Sequence, residues 1–235
     1  PSTVVYGSTS TLSSTGGSGT GAVTYAAGGT GGCSVTGGTT LNVLDASLTC
    51  TVTATKAADN NYNVVSSSAL TVTMAKASQA ALNLTAPASL TYGNTATLSS
   101  SGGSGGGAVT YGVTTGTGCS ISVGTTLNVD NASGTCGVTA TKAADNNYNS
   151  ASSSEATVTL NKAPLSVTAN AAGKSYNGLA YTGGNGVAYS AFVNGEDFTV
   201  LGGSLTYGGT SQGAINAGPY TITPSGLTSS NYAIT

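Results

Sequence analysis

The chain contains two copies of one module, which align along the sequence without a gap. The repeated positions include two tyrosines and two cysteines per copy: Tyr6 and Tyr92, Cys33 and Cys119, Cys50 and Cys136, and Tyr62 and Tyr148. The offset is always 86 residues (119 − 33 = 86). The run TATKAADNNYN also occurs twice, at 53–63 and 139–149. An offset that never changes indicates tandem modules, each long enough for one core, rather than chance low complexity.

Apolar residues within each copy alternate with small polar residues. From Cys50 to Thr55, Cys, Val and Ala take the even-numbered positions, which share one face, while Thr takes the other face, and Leu70, Val72 and Met74 alternate in the same way. This period of two is typical of half-buried strands. Short strands separated by Gly, Ser and Asn turns predict an all-β fold, with a small β-sandwich in each copy.

The segment from Pro164 onward is a different module. Leu165, Val167 and Ala169 predict a strand, and Asn177-Gly178 and Asn194-Gly195 predict tight turns. We therefore expect modules at 1–77, 78–163 and 164–235. The links between them are short and not rich in glycine, which favours an elongated rod.

The ends of the sequence predict two missing strands. The second copy has an alternating segment with Leu82 and Leu84 before Tyr92, whereas only five residues precede Tyr6. We expect the leading strand of the first repeat and the last strand of the third module to be absent. Few charged or proline residues protect strand edges here, so head-to-tail association by strand addition is a hypothesis.

The four cysteines permit three pairings. Only Cys33 with Cys50 and Cys119 with Cys136 treat the two repeats alike, and each bridge would close a loop of about 18 residues and stabilise the fold by about 3 kcal/mol. Zinc is the rival interpretation, but the chain has no His and no CxxC motif. Disulfides predict an oxidising, extracellular location.

The charge inventory excludes several classes of function. The chain has five basic residues, all lysine, seven acidic residues, no His and a net charge of −2. No basic cluster is available for nucleic acid, and no continuous apolar span predicts membrane insertion. The serines have no activating base, and the adjacent Glu196 and Asp197 are interpreted as a solvated turn. We therefore predict no enzyme, no catalytic residue and no cofactor.

The sequence contains two weak candidates for a binding site, one for calcium and one for a glycan. Asp59 and Asp145 each begin an Asp-Asn-Asn-Tyr run and are weak candidates for a calcium site, although a turn in which Asp caps its own backbone is preferred. Twelve tyrosines could bind a host or matrix glycan by stacking, but their phase with Val, Leu and Ile favours core positions. The ligand-binding residues stay unknown.

The sequence resembles two kinds of bacterial repeat. Residues 1–163 resemble the bacterial Ig-like repeats of large secreted proteins, in the spacing of their cysteines and the ATKAADNNYN segment. Residues 164–235 resemble the MBG/YDG-type repeats of filamentous-haemagglutinin-like adhesins, in FVNGEDF at 192–198 and GGSLTYGGTSQGAINAGPYTITPSGL at 202–227. The resemblance implies cell-surface adhesion or a stalk that extends an adhesive tip. Together with the inert composition, it leads us to expect a stalk or filament segment of a bacterial surface or biofilm-matrix protein, and the unprotected strand edges make copies of the same protein or neighbouring repeats the expected partners. The alternative function is a glycan-binding module of a secreted protein.

Overall fold

The computed structural model describes residues 3–235 and confirms the all-β prediction. A single 3-10 turn, Phe198–Val200, is the only helical element among those residues. No helix in this part of the chain is long and apolar enough to cross a membrane. The chain divides into two compact units. Unit 1 contains the residues through Asn83 together with Ser100–Thr110 and Ala140–Ser154, and unit 2 contains Leu84–Ser99, Tyr111–Thr139 and Glu155–Thr235.

The strands follow the repeat. The first repeat has eight: β1 Thr3–Val5, β2 Thr9–Thr11, β3 Val23–Gly29, β4 Cys33–Thr36, β5 Thr40–Val43, β6 Cys50–Lys56, β7 Val65–Ser66 and β8 Leu70–Ala75. The second repeat has ten: β9 Leu82–Thr85, β10 Ser89–Thr91, β11 Thr95–Thr97, β12 Ser99–Gly102, β13 Val109–Thr115, β14 Cys119–Ser122, β15 Thr126–Val129, β16 Thr135–Lys142, β17 Ala151–Ser152 and β18 Ala156–Asn161. The third module has five: β19 Ala163–Ala169, β20 Val187–Ser190, β21 Gly202–Gly208, β22 Thr223–Thr228 and β23 Tyr232–Ile234.

The first repeat forms two sheets inside unit 1. One has the order β1-β8-β6-β3, with β7 paired to β6, and the other has the order β2-β5-β4. Along β6 the side chains of Cys50 and Val52 are buried, while the intervening threonines are half-exposed. Val72 is also buried, but Leu70 is exposed, so the predicted alternation along β8 holds only in part.

Each disulfide joins two different sheets of its repeat. Cys33 lies on β4 and Cys50 on β6, and their sulfur atoms are bonded. Cys119 on β14 and Cys136 on β16 are bonded in the same way. All four cysteines are buried, so these bonds lie within the cores rather than at the surface.

Unit 2 contains the rest of the second repeat and the whole third module. Its sheets include β10-β18-β16, β11-β15-β14, β20-β19-β23 and β21-β22. A strand near the start of each module pairs in parallel with a strand from the end of that module: β1 with β8, β10 with β18, and β19 with β23. One apolar cluster extends from the second repeat into the third module and includes Tyr92, Ala163 and Tyr232.

Candidate functional site

The two Asp-Asn-Asn-Tyr runs form identical turns. The Oδ1 atom of Asp59 accepts hydrogen bonds from the backbone N–H groups of Asn61 and Tyr62, at 2.9 and 3.0 Å. Asp145 accepts the two equivalent bonds from Asn147 and Tyr148, at 2.9 and 2.8 Å. The aspartate thus fixes the backbone of the Asn-Tyr dipeptide that follows it.

The second oxygen of each aspartate is also occupied. The Oδ2 atom of Asp59 accepts the N–H of Thr20 at 2.5 Å, and that of Asp145 accepts the N–H of Gly106 at 2.6 Å. Backbone donors, those of Asn61 and Asn147 first, hold the pKa of each carboxyl below its usual value because they stabilise the ionised form. Among the described residues, no group of three or more Asp, Glu, Cys or His side chains is arranged so that it could hold a metal ion. The contacts of both aspartates are those of turn-capping residues.

The third module repeats this turn with a serine. The Oγ atom of Ser229 accepts the N–H groups of Asn231 and Tyr232, both at 3.1 Å. Three modules therefore present an Asn-Tyr dipeptide on the same kind of capped turn. Sequence reasoning recognised this turn only in the two repeats.

The dipeptide Asn147-Tyr148 forms what we call the first junction, with residues of the first repeat and the link. The Tyr148 ring packs edge-on against Tyr6, with centroids 5.3 Å apart. The Asn147 side chain accepts the N–H of Ala46 at 2.9 Å, and its carbonyl accepts the N–H of Ala77 at 2.8 Å. Tyr148 forms a parallel β-bridge with Ala77. All these residues belong to unit 1.

The dipeptide Asn231-Tyr232 forms the second junction through the equivalent contacts, all within unit 2. Tyr232 packs edge-on against Tyr92 at 5.7 Å. The Asn231 side chain accepts the N–H of Ala132 at 3.1 Å, and its carbonyl accepts the N–H of Ala163 at 2.9 Å. Tyr92, Ala132 and Ala163 are the 86-residue counterparts of the residues that receive Asn147-Tyr148. The same docking arrangement therefore occurs twice.

Glu196 is the residue that the sequence interpretation placed wrongly. It does not lie in a solvated turn: its carboxylate is part-buried and accepts the hydroxyls of Tyr92 and Tyr232, at 2.7 and 2.5 Å. Its neighbour Asp197 does lie at a turn, where it caps the 3-10 helix through the N–H of Thr199 at 2.9 Å. The two adjacent carboxylates therefore accept hydrogen bonds from different parts of the module.

The Glu196 contact and burial both favour the protonated form of the two phenols. The hydrogen bond to Glu196 is the main cause of the raised pKa of Tyr92. Burial, and then the same carboxylate, raises the pKa of Tyr232 to about 12. Tyr232 is 1% exposed, and the N–H of Val193 donates to its hydroxyl at 3.0 Å. A protonated phenol beside a carboxylate is a stabilising contact and supplies no general base at neutral pH.

The tyrosines divide into buried and exposed groups. Tyr92 and Tyr232 are core residues, as their phase predicts, whereas Tyr62, Tyr176 and Tyr220 are exposed. Tyr176 and Tyr220 line a cavity of about 270 Å³ in the third module. In this cavity two exposed aromatic rings border one recess.

Comparison with known protein families gives a match for the last third of the chain. Residues 165–235 match the model of the MBG domain (YGX type). Domains of this type are repeats found in extracellular bacterial proteins, which together with the two disulfides indicates a location outside the cytoplasm. Comparison with curated proteins and with solved structures returns no match. The Ig-like resemblance of 1–163 stays a prediction.

Proposed function

We propose that this chain is a non-enzymatic structural segment of a secreted bacterial surface or matrix protein, where it serves as a stalk or filament. The observation that carries this proposal is the pair of equivalent junctions. Two different modules dock onto the module before them through the same dipeptide and the same three kinds of contact. If these contacts were incidental to the packing of one pair of modules, we would not expect the same set at the next pair.

The junction contacts suit a load-bearing role. Each docking dipeptide is held by three kinds of contact: the asparagine hydrogen bond, the parallel backbone bridge and the edge-on tyrosine pair. Movement at the link would therefore break several interactions together. Aromatic edge contacts contribute about 0.5–1.5 kcal/mol each beyond their burial. The disulfides inside each repeat resist extension of the module itself. Stiff links and closed modules are what a spacer requires.

The chemical inventory supports the non-enzymatic part of the proposal. The chain has no His. Asp59, Asp145 and Asp197 accept backbone hydrogen bonds, and Glu196 accepts two phenols. Glu155 accepts the hydroxyl of Thr114. These acids are engaged in holding turns and strands, which leaves few groups for proton transfer.

The partners we propose are copies of the same protein or neighbouring modules of the same type. Strand addition at an exposed sheet edge is one route, because the chain has few charges with which to protect its edges. We place the protein on the cell surface or in a matrix, with no nucleic-acid partner and no membrane insertion.

Residual dipolar couplings in a weakly aligning medium test the stalk proposal. If the modules act as one stiff body, couplings from the two repeats and the third module fit a single alignment tensor. A double variant, Asn147→Ala with Tyr148→Ala, should then require a separate tensor for the first repeat. Leu70→Ala, which removes an exposed side chain away from the junctions, is the matched control. Independent tensors in the unaltered protein would contradict the proposal, and turnover of an ester or glycoside that depends on Glu196 would contradict its non-enzymatic part.

Glycan binding by the third module is the second candidate. The specific observation in its favour is the cavity bordered by Tyr176 and Tyr220, since sugars stack on exposed aromatic faces. A glycan array followed by titration decides it: binding that Tyr176→Ala abolishes supports this function, and no binding by the unaltered protein removes it.

A further inference from the structure

The third module has a tyrosine at the position that receives the Asn-Tyr dipeptide in the two repeats. The receiving and docking tyrosines of each module are 56 residues apart (62 − 6 = 56): Tyr6 and Tyr62, Tyr92 and Tyr148, and Tyr176 and Tyr232. The residue 40 positions after the receiving tyrosine is also equivalent (46 − 6 = 40): Ala46, Ala132 and Asn216. Because Ala46 and Ala132 donate their N–H groups to the docking asparagine, Asn216 occupies the position of that donor.

Tyr176 and Asn216 line the same cavity, that of about 270 Å³. We call this cavity the receiving cavity. Leu179, Ile215 and Tyr220 on its border are exposed, as is Tyr176 itself at 72%. In the repeats the equivalent tyrosines are covered by a docked ring: Tyr92 is 6% exposed and Tyr6 is half-buried. The receiving cavity is therefore a docking position with its aromatic surface uncovered.

The first repeat carries a docking dipeptide, Asn61-Tyr62, whose tyrosine ring is also uncovered. Asn61 and Tyr62 stand on the turn that Asp59 caps, in the same hydrogen-bonded form as the two docked dipeptides. Tyr62 is nevertheless 51% exposed, whereas Tyr232 is 1% exposed. The backbone conformation that docking needs is thus already formed before any partner is bound, which lowers the entropic cost of binding.

We infer that the receiving cavity binds the Asn61-Tyr62 dipeptide of a second copy of this chain through the ring contact and the asparagine contact that the two internal junctions share. Tyr62 would pack edge-on against Tyr176, and the Asn61 side chain would accept the N–H of Asn216. This inference rests on the proposed function, because it uses the internal junctions as the template for contact between copies.

The contact is heterologous, since one copy contributes the dipeptide and the other contributes the cavity. Each copy carries both halves, so association of this kind continues from copy to copy instead of stopping at a dimer. The net charge of −2 over 235 residues opposes such association only weakly. The exposed aromatic and aliphatic residues of the cavity provide the apolar surface to be buried.

Sedimentation velocity of the oxidised chain tests this inference. The concentration series should extend to about 1 mM, because the two internal junctions join modules whose short links hold them at millimolar effective concentrations, and separate copies lack that advantage. We expect concentration-dependent multimers. Tyr62→Ala and Tyr176→Ala should each weaken association by about tenfold or more. A mixture of the two variants retains one intact dipeptide and one intact cavity, so it should form 1:1 dimers and nothing larger.

Three controls keep the result interpretable. Leu70→Ala alters an exposed residue outside both halves and should associate like the unaltered protein. Tyr176→Phe keeps the ring and should retain association. Amide spectra of each variant should match those of the unaltered protein outside the altered region, because Tyr62 and Tyr176 are exposed.

A protein that stays monomeric at about 1 mM, or a mixture that fails to restore dimers, overturns the inference. A glycan that binds the cavity and is not displaced by the second copy also overturns it. The stalk proposal has its own readout, the shared alignment tensor of a single chain. A monomer with one tensor would therefore remove this inference and leave the proposed function standing.

Discussion

The two junctions share their framework and differ in what surrounds it. In both, an Asn side chain accepts an alanine N–H, a backbone bridge forms with the link, and two tyrosine rings meet edge-on. Only the second junction adds Glu196 beneath both hydroxyls and Phe192 against Tyr232 at 5.3 Å. The shared contacts define how modules join, and the added ones alter how strongly they do so.

A second difference concerns the loop that carries the receiving alanine. In the first junction Asp45 accepts the side-chain amide of Asn146 at 3.2 Å. At the equivalent place in the second, Asn131 faces a module that has Ser230 instead of Asn146, and the Asn131 Oδ1 atom is buried without a hydrogen-bond partner. Compared with the first junction, the second lacks one polar contact at this loop and has two additional hydrogen bonds, from Tyr92 and Tyr232 to Glu196.

The largest expected effect comes from removing the docked ring. Tyr232→Ala should lower the free energy of unfolding by about 3–5 kcal/mol, because it empties a fully buried site. Tyr148→Ala should cost about 1–2 kcal/mol, since Tyr148 is only half-buried. Urea denaturation measures both values. Equal losses would mean that Glu196 and Phe192 add nothing to the second junction.

The two disulfides should contribute equally to the free energy of unfolding, although the two junctions should not. Replacing both cysteines of one pair by Ala should lower stability by about 3 kcal/mol in either repeat, because the loops closed are the same length. Thermal denaturation of the two double variants checks this expectation. Clearly unequal losses would show that the repeats differ inside their cores as well as at their junctions.

Alkaline pH should affect the second junction selectively. Tyr232 has a pKa of about 12 in the folded protein against 10 when unfolded. Its protonated form therefore contributes stability that is fully present below pH 10 and is lost as pH rises through 12. The total is about 3 kcal/mol. Denaturation at pH 8–12, compared with Tyr232→Phe, isolates this loss. The difference between the two proteins should shrink across that range; a constant difference would show that the phenol is not held protonated by its surroundings.

The asparagine contacts should be equal in the two junctions. Asn147→Ala and Asn231→Ala each leave an alanine N–H without its acceptor, so each should cost about 1–2 kcal/mol. Chemical denaturation of the two single variants gives the comparison. A much larger loss at one of them would contradict the view that both junctions are built on one framework.

The smallest expected effect distinguishes the hairpin turns of the two repeats. Val123 has a φ of 49° at the position where the first repeat has Gly37, and a β-branched residue is strained there. Val123→Asn should therefore raise stability by about 0.5–1 kcal/mol. The reciprocal change, Gly37→Val, should lower it by a similar amount. Thermal denaturation measures both, and a loss on Val123→Asn would refute the argument.

Much of the fold could be predicted from the sequence because its signals are local or periodic. The alternation from Cys50 to Thr55 determines which face of β6 is buried, and the constant offset transfers that assignment to β16 of the second repeat. Asn194-Gly195 forms the expected turn, with positive φ at both residues. These features depend on neighbours along the chain or on a repeat visible in the letters.

The role of Glu196 could not be predicted because its contacts are not local. Its bond to Tyr92 joins residues 104 positions apart, and no periodicity marks such a pair. The docking turn of the third module was missed for another reason: the module has no cysteine and carries Ser229 where the repeats have Asp. The common spacing of 56 residues between receiving and docking tyrosines was the available signal.

Amide hydrogen exchange at Ala46 and Ala132 tests the junction most directly. If the Asn-Tyr dipeptide fastens each module to the one before it, both amides exchange slowly in the unaltered protein. Asn147→Ala should then expose Ala46 alone, and Asn231→Ala should expose Ala132 alone. Exchange at the rates of free amides in the unaltered protein would contradict the account, because neither asparagine would then be holding its alanine in solution.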